Sequence, residues 1–322
     1  MQRNVIIDCD TGLDDAVALL LAIRSPELNV KGITCVNGNV SLEKVIKNTL
    51  RVVEHSGKDI PVYAGASTAL IPDKSEEDAS HVHGKDGLGG IPFPDPTSKI
   101  KPQHAVDYIV ETIMNAENPI DWITLGPLTN AALAYLKEPR ISKHVRMLTM
   151  MAGGVNAGNV TPPAEFNVFA DPEAARVVFD SDIPKTMVPL DPLWDGGFLS
   201  KENIQQITDA NHHLWCEMAS KIFQRTVKLV EELGRNPSNG VGTVSPPDLL
   251  AVAVAIDPEI AVIQENYVSI ETRGEYTRGM TVLDRRVYYR IEDQPNRSKV
   301  KITLSAHQEK YADLILNTWL KT

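Results

Sequence analysis

The sequence predicts an α/β protein: a single open, largely parallel, Rossmann-like sheet flanked by helices. Two patterns predict it. Short apolar runs of strand character alternate with segments of helical spacing, at intervals that suit right-handed crossovers. Four of those strands also close in polar or glycine-rich segments (8–15, 37–39, 126–130 and 153–167), and an open sheet binds its ligands beyond the carboxyl ends of its strands. Such loops converge on one crevice.

The elements follow in order. Asn4 to Ile7 is a buried strand closed by an acidic run, and Leu13 to Arg24 is a helix whose acidic first turn suits the positive end of the helix dipole. Val30 to Val36 is a strand ending in Asn37-Gly38-Asn39, Leu42 to His55 a helix, and Ile60 to Ala64 a third strand. His104 to Asn115 is helical, Asp121 to Leu125 extended, and Gly126-Pro127-Leu128-Thr129-Asn130 turns into the helix Ala131 to Leu136. Val145 to Met151 is a strand ending in Ala152-Gly153-Gly154, followed by the helix Pro172 to Phe179 and the strand Lys185 to Leu190. One helical block is expected from Glu202 to Leu233, then a Gly/Pro/Ser/Asn-rich loop over 234–247. The helix Leu249 to Ile256, strands near 260–270 and 285–304, and a helix through Leu320 complete the chain. With no repeat, low-complexity tract or linker, residues 1–322 read as one domain.

Composition narrows the function. A formal net charge of −10 argues against binding nucleic acid, which needs a basic face. Cys9, Cys35 and Cys216 form no disulfide framework and no CxxC pair. No basic stretch leads into an apolar core with a small-residue cleavage site, and the longest apolar run, Ala16 to Ile23, is too short to span a bilayer. No membrane partner and a cytoplasmic location are therefore expected.

The chemistry concentrates in one place. Asp8, Asp10, Asp14 and Asp15 straddle a strand-to-helix turn, where like charges repel and burial raises the cost. A hard divalent cation with oxygen ligands relieves that repulsion. Helix capping accounts for one or two of the acids but not for four. Cys9 alternates with Asp8 and Asp10, so it points the other way as a small buried residue.

The run DCDTGLDDAVALLLA resembles the signature of the inosine–uridine-type nucleoside hydrolases. VNGNV at Val36–Val40, HGKDGLGG at His83–Gly90, GPLTN at Gly126–Asn130 and AEFNVFADPEAA at Ala164–Ala175 extend the resemblance. PDLLAVAVAIDP at Pro247–Pro258 and TRGMTVLD at Thr277–Asp284 carry it over nearly the whole chain. The resemblance implies that family's open α/β fold, a ribonucleoside substrate, Ca2+, and a homo-oligomer (dimer or tetramer). It matches Asp10, Asp15 and Asp248 to carboxylate metal ligands, and Leu125 to a main-chain carbonyl ligand. It matches Asp10 to the general base acting on a metal-bound water, Asp14 and Asn167 to residues holding the ribose 2′- and 3′-hydroxyls, and Asn159 and Glu165 to those holding the 5′-hydroxyl. Asn39 and Met151 match lining positions, and His83 a histidine on the nucleobase side.

One departure matters. Many members have His-Asp at the last metal position, where the histidine is acid to the leaving base; here the pair is Pro247-Asp248. Proline donates no proton, so Trp194 stacked on the base, or His83, His212 or His213, must compensate. His81 and His83, two apart on an extended segment, would share a side, with His81 exposed. Two rival readings remain at this point. Asp8-Cys9-Asp10-Thr11 also fits a phosphatase of the haloacid dehalogenase type, although Asp14 and Asp15 are then unexplained. Pro247 also suits a nucleoside-binding protein that has lost catalysis.

Overall fold

A computed structural model of the chain describes residues 2–72, 78–194, 196–232, 244, 246–286 and 299–321; the side chains of Trp194 and Val230 lie outside the described atoms. The first strand, β1 (Arg3–Cys9), lies between β2 (Leu28–Cys35) and β4 (Ile120–Thr124) and runs parallel to both. Outward from β2 comes β3 (Val62–Ala64); outward from β4 come β5 (Val145–Met151), β6 (Lys185–Val188), β10 (Val300–Ala306) and β7 (Ala261–Asn266). Every pair in this eight-stranded sheet is parallel except β10 with β7 at the edge. The α/β, largely parallel architecture expected from the sequence is the one found.

Both faces of the sheet are covered, which is why its strands carry near-continuous apolar runs. On one side pack α1 (Leu13–Arg24), α2 (Leu42–Ser56), α9 (Leu214–Glu232), α10 (Pro247–Ile256) and α11 (Gln308–Leu320); on the other, α4 (Ala105–Met114), α5 (Thr129–Lys137) and α7 (Pro172–Asp180). The alternation of β1 divides between them: Val5, Ile7 and Cys9 join the first core, and Ile6 the second. Cys9 thus points away from Asp8 and Asp10, as its parity requires. Helix α1 is apolar nearly all round because α2, α9 and α10 enclose it.

Three elements differ from expectation. The helical block splits into α8 (Lys201–Asp209) and α9, broken at Ala210-Asn211-His212-His213, where asparagine and histidine are weak helix formers. His212 and His213 therefore sit in a turn and not over a nucleobase site. Their rings lie 4.0 Å apart, and His213 stacks at 4.4 Å on Trp215, which also lies 3.9 Å from the Arg24 guanidinium. Arg24 ends α1, about 18 Å of helix away from the acidic turn that begins it. The segment near 260–270 splits at Tyr267 into β7, in the main sheet, and β8 (Val268–Ile270), which pairs with β9 (Thr281–Leu283) in a separate hairpin. Of the strand expected over 285–304, residues 300–304 lie in β10 and residues 287–298 lie outside the described residues. The third is α3 (Ser80–His83), helical where an extended segment was expected; two residues of helix, about 200°, put exposed His81 and buried His83 on opposite sides.

The far end of the sheet anchors the helix that brings Asp248. Arg3 donates to Ala255 O and Ile256 O at the C-terminus of α10, at 3.0 and 2.8 Å, and pairs with buried Asp121 at 2.8 Å. Arg146 shares that carboxylate. Arg3→Met removes both carbonyl contacts and leaves Asp121 with Arg146 alone. Denaturant unfolding is expected to show a loss of about 1–3 kcal/mol; a change below about 0.5 kcal/mol, the scatter of neutral surface sites, would deny the anchor.

Candidate functional site

Because β2 and β4 flank β1 on opposite sides, the chain reverses direction of winding there, and a crevice opens beyond the carboxyl ends of β1 and β4. The two ends are tied, Leu125 N donating to Asp8 O at 2.8 Å. The acidic turn fills this crevice.

Asp10 leaves β1 between two glycines. A Cβ at Gly38 would lie 2.1 Å from Asp10 Oδ2, and one at Gly126 would lie 2.6 Å from Asp10 Oδ1. No larger residue fits either place without displacing the carboxylate. Asn39 N donates to Asp10 Oδ2 at 2.7 Å, while Oδ1 is buried without a hydrogen-bond partner. Asp15, at the third position of α1, accepts from Gly12 N at 2.9 Å, from Asn39 Nδ2 at 3.0 Å and from Asp10 N at 3.2 Å. The capping that the sequence offered as an alternative is real, but it occupies Asp15 alone. Asp14, Asp15 and Asp248 each offer an oxygen within 4.8 Å of the others. Asp10 lies beside this trio, close enough to Asp15 and Asp248 to repel them, with Oδ2 held by Asn39 N.

The other expected residues surround this centre. Leu125 O accepts from Asn167 Nδ2 at 2.7 Å, and the same amide reaches Met151 O at 3.0 Å and Met151 Sδ at 3.2 Å. Glu165, buried, caps the short helix α6 (Phe166–Ala170), accepting from Asn167 N at 2.8 Å and Val168 N at 3.3 Å, and from Gly153 N at 2.7 Å. Asn159 is exposed and accepts from Phe166 N at 2.9 Å, at the rim. His83 Nδ1 accepts from Leu13 N at 3.1 Å and lies 3.7 Å from Asp14, so a neutral ring carries its proton on Nε2. Pro247 opens α10 where its missing N–H costs nothing, and presents Asp248 in the first turn. Trp194 ends a 3-10 turn after β6, with its side chain outside the described atoms.

Two supports escaped the sequence reading. Asn130, fully buried, donates to Asp8 Oδ1 at 2.8 Å and Cys35 O at 3.1 Å and accepts from Ala66 N at 2.9 Å, joining three strand ends. Gly38 and Gly126 press on Asp10. The signal was present in VNGNV and GPLTN, but only the fold shows that both glycines face one carboxylate.

Burial pushes Asp10, Asp15 and Asp248 above the usual carboxylate range, with further repulsion from Asp15, Asp14 and Asp15 respectively. Burial also raises Asp8 to about 7 and Glu165 to about 6. Among the described residues no lysine or arginine pairs with these aspartates. Hard oxygen donors, the buried and unpartnered Asp10 Oδ1 and Asp14 Oδ1, and uncompensated negative charge together fit a divalent cation.

The sign of the pH effect follows. Carboxyls raised on folding hold protons that the unfolded chain has released, so stability falls as pH rises from about 4 through the folded values near 6 and 7. Chelator-treated protein is expected to melt at a lower temperature at pH 7.5 than at pH 5. Added Ca2+ is expected to raise Tm more at pH 7.5, where the site is ionised. Equal Ca2+-induced shifts at both pH values would dissociate the cluster from cation binding.

A family model described as inosine-uridine preferring nucleoside hydrolase matches residues 5–313. The chain is 36% identical over 319 residues to the pyrimidine-specific ribonucleoside hydrolase RihA of Photobacterium profundum, covering 98% of each. To RihA of Escherichia coli O1:K1 / APEC it is 34% identical over 316 residues, covering 98% of this chain and 97% of the other. Among solved structures, the plant nucleoside hydrolase PpNRh1 superposes with a TM-score of 0.90 at 27% identity, covering 100% of both chains. A purine-preferring ribonucleoside hydrolase from Gardnerella vaginalis gives 0.86 at 28%, covering 98% of both. These matches leave no place for the phosphatase reading, and the chain belongs to the inosine-uridine preferring nucleoside hydrolase family.

Proposed function

We propose that the protein is a Ca2+-dependent ribonucleoside N-ribohydrolase, releasing nucleobase and ribose from a site built on Asp10, Asp14, Asp15 and Asp248. The observation that carries this reading is the buried, unpartnered Asp10 Oδ1 at the β1–β4 crevice, among carboxylates with no lysine or arginine partner among the described residues. The named relatives divide between pyrimidine-specific and purine-preferring enzymes, so the substrate class proposed is the ribonucleoside.

Asp10, Asp15, Asp248 and the Leu125 carbonyl would hold the cation, with Asp14 beside them. When bound, Ca2+ orients water and the ribose diol and offsets the crowded charge, lowering the pKa of water less than zinc would. Asp10 accepts the proton of the attacking water through Oδ1, with Oδ2 held by Asn39 N. Oxygen adds to the anomeric carbon as the C–N bond breaks, its electron pair leaving with the base. The ribosyl group turns cation-like on the way, and the surrounding carboxylates favour that charge over the neutral ground state. Asp14 and Asn167 hold the 2′- and 3′-hydroxyls, and Glu165 and Asn159 the 5′-hydroxyl. Asn39 and Met151 line the pocket. With Pro247 in place of an acid, His83 is the histidine whose ring touches the acidic turn, and its Nε2–H is the hydrogen-bond donor to the leaving base, which takes its proton from solvent. Trp194 stacking on the base is the second route. A cytoplasmic homo-oligomer engaged in nucleoside salvage completes the reading, on family resemblance.

Ribose release from uridine, cytidine and inosine, assayed with and without chelator, tests this directly. Activity that chelator abolishes and Ca2+ restores supports it. Tight nucleoside binding without ribose release would favour the binding-protein alternative, and chelator-insensitive turnover would remove the cation.

Asp10→Asn keeps an oxygen donor but loses the base. Turnover is expected to fall on the order of 10²-fold or more with substrate binding less affected. Near-normal turnover would place the base elsewhere.

If His83 donates a hydrogen bond to the leaving base, His83→Ala should slow uridine far more than p-nitrophenyl riboside, whose leaving group needs little help. Comparable losses on both substrates would reduce His83 to a packing role.

A further inference from the structure

The β8–β9 hairpin stands outside the main sheet, and the TRGMTVLD run that supplies β9 has no part in the chemistry above. Besides packing on α7, it contacts the loop that follows β5. There the chain turns irregular, and consecutive backbone groups are held by side chains and backbone from other segments. Gly153 N donates to Glu165 Oε2 at 2.7 Å, and Gly153 O accepts from Leu190 N at 3.1 Å. Gly154 N donates to Thr281 Oγ1 at 3.1 Å, and Thr281 Oγ1 donates back to Gly154 O at 2.5 Å. Val155 N and Asn156 N donate to Asp191 at 2.6 and 3.0 Å, and Arg285 donates to Val155 O at 2.6 Å.

Thr281 holds the tightest point. It is 2% exposed, its hydroxyl grips both polar groups of Gly154, and its methyl fills the space beside Gly153. A Cβ at Gly153 would lie 2.6 Å from that methyl, at a φ of +78° that side chains rarely adopt. The neighbouring Met280 bridges to Ala164, and Gly279 packs against Ala164 and Phe169. The hairpin thus clamps both ends of the segment 153–164. Glu165 follows at once and accepts from Gly153 N. Moving Gly153–Gly154 would move the carboxylate that accepts from it.

We propose that Thr281 is a positioning residue. It fixes the Gly153–Gly154 backbone, and through it the placement of Glu165 on the 5′-hydroxyl side of the ribose. The proposal rests on the ribonucleoside hydrolase reading and on Glu165 as its 5′-hydroxyl contact. Threonine suits the task because valine has its shape without the hydroxyl, and would leave two buried backbone groups unpaired. Serine keeps the hydroxyl.

The test compares a ribonucleoside with its 5′-deoxy counterpart, using uridine or inosine, whichever the wild-type chain cleaves faster. Thr281→Val should lower kcat/KM for the ribonucleoside on the order of 10-fold or more. The 5′-deoxy substrate, with no hydroxyl to place, should change by less than about 3-fold. Thr281→Ser should restore the wild-type ratio. Equal losses on both substrates, or no loss on either, would overturn the proposal, because a merely structural threonine cannot tell them apart. If Thr281→Val does not fold, Arg285→Ala reads the same ratio from the exposed side of the loop. It should show the same selective loss at smaller size, and an unchanged ratio there counts against the proposal. Wild-type protein that cleaves no ribonucleoside would remove the parent reading and this one with it, an outcome distinct from an unselective variant.

Discussion

Like-charged carboxylates confined in a buried crevice are the constraint around which the protein is arranged. Asp8, Asp10, Asp15 and Asp248 are each almost wholly removed from solvent, with no lysine or arginine paired to them among the described residues. In a low-dielectric setting such a group is costly, and a protein of marginal stability could not carry it uncompensated. The compensation is partly internal. Backbone N–H groups of Gly12, Asn39 and Asp10 and the amides of Asn39 and Asn130 are aimed at the carboxylates, and the positive end of α1 lies under them. In the proposed function the remainder falls to a cation and to a substrate that becomes positive as it reacts.

That arrangement explains features far from the site. Asp248 arrives on a helix whose C-terminal carbonyls are held by Arg3 at the other end of the sheet, so the repelling carboxylates are kept together by an anchor a helix length away. The two packed cores enclose the sheet on both faces and leave the carboxyl ends of the strands as the place where polar backbone collects. Strand β1 holds Asp8, the turn after it Asp10, and the first turns of α1 and α10 hold Asp15 and Asp248, which suits a site of preorganised groups.

Small residues allow the close approach. Gly38 and Gly126 admit the Asp10 carboxylate between two loops, and Gly12 makes room for the His83 ring, whose Nδ1 would lie 2.5 Å from any Cβ there. Asn130 adds the complementary device, one buried amide joining the ends of β1, β2 and the loop after β3. Polar groups satisfied from several segments at once make the site a consequence of the topology and tie its geometry to the whole fold.

By itself the sequence determined the helices and strands with strong periodicity, and the placement of the acidic turn between them. The helix Leu13–Arg24 and the strand Val145–Met151 begin and end where the pattern puts them, because periodicity and end signals are properties of neighbouring residues. The segments around Asp10, Asn39 and Leu125 were legible for the same reason, each lying at a strand end that an open sheet brings to one edge; Asn167, inside α6, was matched through the family resemblance. Tertiary structure decided what depends on residues distant in the chain. It brought Asp14 together with Asp15 and Asp248, bound Asp10 Oδ2 to Asn39 N, and set two glycines against one carboxylate. It broke the long helical block at Ala210–His213 and so carried His212 and His213 to the far end of α1, where periodicity alone saw continuous helix. It also gave Thr281 its place against Gly154, since an isolated hairpin has no local reason to prefer one loop over another, and only packing across the fold supplies it.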